Sequence, residues 1–283
     1  MNALIAAARP ATVPNSLLAC PFGNDRPASF SKPFLPESLA RIRGLFFLSN
    51  REQRLLNQIR GHGYLSLMGL AEAVIAPLTD DRAGPRGATH IRLFNHFRDE
   101  IAERLGTDCE VIGPAEDIAA HIAGRDPLAA SLTSLAFGWM SQRHYAESVR
   151  DDASLYPHFK NLLQHRWMEV MQHNARRRAI ADRLVAGRDA EALEAAIGDY
   201  LQICAFLDGK LKQQTVFDLA TFERAAGRAL NGEDRADFLR VQHQAMRWSF
   251  IGSGLSHPTM RAMLEKMSPA GADAAAATAL SFC

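Results

Sequence analysis

Residues 61–79, GHGYLSLMGLAEAVIAPLT, are apolar over a helix-length run, and Glu72 is the one Asp, Glu, Lys or Arg within them. A carboxylate in such surroundings must be neutralised, paired or bound to a metal, because burying it bare is costly. At 3.6 residues per turn Glu72 lies close in angle to Leu65, Met68 and Ile75, inside the apolar stripe. The stretch therefore reads as a long core helix whose carboxylate requires partners on other helices.

Three later segments repeat the theme: FRDEIAE (97–103) around Glu100, HYAES (144–148) with His144 and Glu147, and WMEVMQH (167–173) with Glu169 and His173. Glu169 and His173 are four apart, so both address one point from the apolar side of their helix, beside Phe159, Leu162 and Val170. In the second segment Phe94, Phe97 and Ile101 define the apolar face. Glu100 sits at its edge, and Glu103 and His96 lie further towards the polar side. His144 and Glu147 are one turn apart but stand between Arg143 and Arg150, so a salt bridge at the helix end competes with coordination.

Helix signals surround these segments. Ser49-Asn50-Arg51-Glu52 is a capping box opening a helix expected to run to about Ala76, with Pro77 beyond it. A second helix is expected from about Thr89 to Leu105, with Gly106 closing it. A short helix follows near 114–123. Asp126-Pro127 then starts a third long helix, which carries no charge before Arg143. Pro157 marks the fourth long helix, to about Leu184, and Asp189 caps a fifth. Further helical patterns recur near 213–230, 233–252 and 258–267, and no alternating strand run stands out. The expected architecture is all-α, with four long helices as core and additional C-terminal helices outside. Residues 1–36 hold six of the thirteen prolines and are expected as an extended or partly disordered arm. Residues 37–267 are expected as one helical domain, and the Ala-rich 268–283 as a flexible tail.

Composition excludes several classes. Apolar residues make up 47% and charged residues 22%, and the formal net charge is +1, so no broad grip on nucleic acid or anionic membrane is expected. The four cysteines, Cys20, Cys109, Cys204 and Cys283, lie far apart and form no zinc-knuckle or disulfide pattern. No secretory leader or membrane-spanning run is evident, so the expected location is cytoplasmic. Phosphate-binding glycine loops and serine nucleophile elbows are absent. Mixed carboxylate and imidazole donors favour iron, manganese or zinc over calcium.

EAVIAP at Glu72, FRDEIAE, HYAES, WMEVMQH and the downstream LKQQTVFDLATFERAAGR, in this order, resemble an uncharacterised bacterial branch of the ferritin-like di-iron carboxylate superfamily. The resemblance covers roughly residues 45–230 and implies a ferritin-like four-helix bundle. It implies Glu72, Glu100, Glu147 and His173 as metal ligands, one from each helix. Two positions depart from the pattern: Glu103 stands where a histidine belongs, and Val170 stands where a glutamate belongs, with Glu169 one position off. His165, one turn before Glu169, and His96, before Glu100, are the compensating donors, and His144 is a further candidate ligand. The function so implied is an iron-dependent, oxygen-using oxidoreductase acting on a small organic substrate, with manganese as the other metal and a homodimer as the expected assembly. The alternative is a non-enzymatic helical binding or assembly protein with a degenerate metal site.

Overall fold

The computed structural model describes residues 31–79 and 85–282, without the side chains of 78–79, 85–93 and 172. Every regular element among these residues is helical. In chain order they are α1 (Glu37–Ala40), α2 (Asn50–Thr79), α3 (Pro85–Leu105), α4 (Ala115–Ala123), α5 (Pro127–Arg143), α6 (Pro157–Val185), α7 (Ala190–Ala226), α8 (Gly232–Arg247), α9 (Ser253–Leu255), α10 (Pro258–Met267) and α11 (Pro269–Ser281). Two π-helical turns, His144–Val149 and Trp248–Gly252, prolong α5 and α8. No described helix is long and apolar enough to cross a membrane.

Local chemistry sets the helix ends. Ser49 N and Oγ both donate to Glu52 Oε2, at 2.9 and 2.7 Å, which forms the expected capping box. The Asp126 carboxylate accepts from Leu128 N at 2.7 Å, with Pro127 in the first turn, and Asp189 accepts from Ala192 N at 2.9 Å. Gly106 ends α3 at φ 62°, a left-handed conformation that glycine adopts without a Cβ clash.

Packing then follows from the apolar stripes. α2 packs on α3, α3 on α6, α6 on α5, and α5 back on α2, while α7 lies against both α2 and α5. One apolar core gathers Leu65, Met68, Ile75, Phe97 and Phe159 between the first four of these helices. A second, with Leu132, Leu135, Ile197 and Met263, lies between α5, α7 and α10, and Phe250 packs against both. A buried ion pair, Arg60 Nη1 to Asp218 Oδ2 at 3.3 Å, ties α2 to α7. Gln214 donates to the other Asp218 oxygen at 2.9 Å. Burial drives the Asp218 carboxyl upward in pKa, and the Arg60 guanidinium opposes that.

Several expectations are corrected. The expected arm docks at its end: Phe34 is buried, stacks on Phe159 at 5.2 Å, and its backbone N–H donates to Asn57 Oδ1 at 2.6 Å. Residues 1–30 and 80–84 lie outside the described residues, and with them most of the arm and the centre of the 79–89 turn. α2 continues through Pro77 to Thr79, and α3 begins at Pro85 rather than Thr89. α7 runs unbroken for 37 residues, where two helices were expected. Its stripe of Leu211, Thr215, Leu219 and Phe222 carries on across the polar Lys212-Gln213 step. The Ala-rich end forms α11, with Gly271, Ala272, Ala275 and Ala279 buried. Small residues make this possible: a Cβ on Gly271 would lie 2.7 Å from Ile197 Cδ1, so α11 seats closely on α7.

Candidate functional site

Helix packing brings Glu72 of α2 and Glu169 of α6 to one point, and an arginine lies between them. Arg166 of α6 is buried. Its Nη2 donates to Glu72 Oε1 in a short bond, its Nη1 donates to Glu169 Oε2 at 3.1 Å, and its guanidinium lies 5.9 Å from the centre of the Phe137 ring. Glu72 keeps 27% of its side chain exposed and Glu169 keeps 14%. The cost of burying the two carboxylates is thus offset by a guanidinium from within the chain.

The other six expected ligands have their own surroundings. Glu100 on α3 is half-buried, and its Oε2 is enclosed without a hydrogen-bond partner. Glu103 is exposed on the outer side of α3. Glu147 is 61% exposed and accepts from Arg143 Nε at 2.9 Å, so the ion pair at the helix end forms. The His165 Nδ1–H donates to the Asn161 carbonyl at 2.7 Å, and His173 is half-buried one turn beyond Glu169.

His144 is fully engaged. Tyr64 O–H donates to its Nδ1 at 2.8 Å, and its Nε2 lies 2.9 Å from Ser253 Oγ. The Ser253 hydroxyl proton is directed to the Ser249 carbonyl at 2.9 Å, so Nε2 carries the hydrogen and donates to Ser253. Burial, with Arg143 nearby, drives the imidazole pKa down to about 3, so this ring is neutral at pH 7. Burial likewise drives the Tyr64 phenol upward. The chain Tyr64–His144–Ser253 joins α2 to the first π-helical turn and to α9, and it leaves no ring nitrogen lone pair for a metal.

A di-iron centre needs several carboxylates and imidazoles with free lone pairs converging in one place. Among the described residues no group of three or more His, Cys, Asp or Glu side chains is so placed. Arg166 lies between Glu72 and Glu169, and both His144 nitrogens are engaged within the protein.

An apolar opening also borders α2. A cavity of about 100 Å³, open at its mouth, is bordered by α2, α4, α5, α7 and the second π-helical turn. Leu67 and Val74, Ile118 and Ile122, Ala136 and Phe137 form most of its wall. Phe137 therefore has Arg166 near its ring and also lines the cavity. Comparisons with protein-family models, curated proteins and solved structures find no match for this chain.

Two features went unread in the sequence. Arg166 stands three residues before Glu169, on the same helix face, and that spacing was its signal. The cavity had none, since it arises where four helices meet.

Proposed function

We propose that this chain is a helical ligand-binding protein, whose cavity between α2, α4, α5 and α7 takes a small, largely apolar organic molecule. The observation that carries this reading is the cavity itself. Its wall is almost wholly aliphatic and aromatic, the lining that small-molecule sites favour. The neighbour relations of α2, α3, α6 and α5 support a ferritin-like bundle as the scaffold, and the arginine between Glu72 and Glu169 favours a metal site that has degenerated. Titration with the uncharged dye Nile red tests the reading. Wild-type protein is expected to bind and brighten the dye, whereas Ala71→Phe, which fills the cavity from α2, is expected to abolish the signal without unfolding the chain. Equal brightening by both proteins would place the dye elsewhere and defeat the proposal.

A second reading retains the metal: an iron- or manganese-dependent oxidoreductase in which Arg166 swings away from the carboxylates. It draws support from the convergence of Glu72 and Glu169 and from the enclosed, unpartnered Glu100 Oε2. Anaerobic titration with ferrous iron, followed by an optical spectrum after oxygen exposure, tests it. Stoichiometric iron lost on Glu72→Gln or His173→Ala would support the enzyme, and absence of bound iron would remove it.

A further inference from the structure

Among the described residues the cavity wall contains one charged side chain. Lys210 of α7 lies at the lining, and its ammonium sits 5.7 Å from the centre of the Phe206 ring. No ion pair or hydrogen bond engages it among the described residues. Its neighbour Asp208 is already taken: His243 Nε2 donates to Oδ1 at 2.9 Å, and Arg247 Nη2 donates to Oδ2 at 2.7 Å.

The other polar groups of the wall are satisfied within the protein. Thr133 Oγ1 donates to the Ala129 carbonyl at 2.9 Å, and Tyr200 and Cys204 bond to each other. Beside them His121 of α4 stacks on the Phe206 ring at 3.7 Å and keeps a buried Nε2 without a partner. An apolar chamber with a half-buried lysine in its wall suits an apolar body with an anionic head, because an ammonium pairs most strongly with an opposite charge.

Resting on the binding reading above, we infer that the ligand is a monocarboxylate amphiphile, with its carboxylate on Lys210 and its hydrocarbon body among Leu67, Val74, Ile122 and Phe137. One ammonium matches one carboxylate. A phosphate dianion would require more cations and donors than this rim supplies.

Calorimetric titration of the full chain with decanoate below its micelle concentration, and with decanol as the uncharged counterpart, tests the inference. Wild-type protein is expected to bind decanoate more tightly than decanol. Lys210→Met is expected to weaken decanoate on the order of tenfold to a hundredfold while leaving decanol unchanged, and Lys210→Arg should retain decanoate. If decanoate and decanol bind alike and Lys210→Met alters neither, the carboxylate assignment is overturned while the cavity reading stands. If neither compound binds and Nile red is also refused, the cavity reading itself falls, and this inference with it.

Discussion

Arg166 and Lys210 lie on two sides of the same stretch of α2, and the fold treats them oppositely. Arg166 is buried with two carboxylates bound to its fork, and Phe137 lies beside it. Lys210 borders a chamber that Phe137 also lines, and its ammonium lies near the Phe206 ring. A charge whose hydrogen bonds are met from within the chain serves the fold, since its removal leaves buried partners exposed to their desolvation cost. A charge left open beside apolar space serves whatever enters that space. On the binding reading proposed above, the structural role falls at Glu72, where the sequence drew attention, and the binding role on α7.

The sharpest way to break this contrast is Arg166→Met. It strands Glu72 and Glu169 against each other, and urea denaturation is expected to show a loss of about 3–5 kcal/mol. A loss below about 1 kcal/mol, the range of exposed ion pairs, would show that the seam is merely superficial. Next comes the helix between the two regions. α5 is approached by α9 so closely that a Cβ on Gly254 would lie 2.5 Å from the Ala136 carbonyl oxygen. Gly254→Ala is therefore expected to cost about 1–3 kcal/mol, and to weaken dye binding because Ala136 lines the cavity.

Acid sharpens the comparison from a third position. His144 has its pKa held at about 3 in the fold against 6.5 ordinarily, and burial holds His62 at about 4. The unfolded chain takes up these protons first. Their contribution is therefore complete above about pH 6.5 and is lost as pH falls toward 4 and then 3. Each histidine adds a slope of about 1.4 kcal/mol per pH unit within that window. Denaturation midpoints at pH 7 and pH 5 measure it, and His144→Asn is expected to flatten the dependence by one histidine's share.

Much of this frame was legible. Ser49 with Glu52, Asp126 with Pro127, Asp189 and Gly106 mark helix ends through bonds that span a few residues, and a local pattern can announce them. Leu65, Met68 and Ile75 were read as core, and all are buried. The pairing of Glu72 with Arg166 spans 94 residues, so no periodicity within either helix exposes it. The π-helical turns at His144 and Trp248 add a residue to the turn, and that slips the apolar phase on which helix reading depends. α11 was read as tail because alanine carries little hydrophobic signal, although its small size is what lets the helix seat on Ile197.

The smallest expected effect on stability decides most about the contrast. Lys210→Met removes a charge that no described residue neutralises, and it replaces a flexible stem with one of similar apolar reach. No described residue is left without a partner, so the stability change should stay within about 0.5 kcal/mol. Arg166→Met makes the same chemical change in the other region with about ten times that consequence, by the cost of stranded buried charge. Urea denaturation of the two variants side by side measures the ratio. If Lys210→Met proved as damaging as Arg166→Met, Lys210 would have a structural partner after all and would be as occupied as Arg166. A near-silent Lys210→Met leaves an ammonium that the fold itself does not use, set at the edge of an apolar chamber.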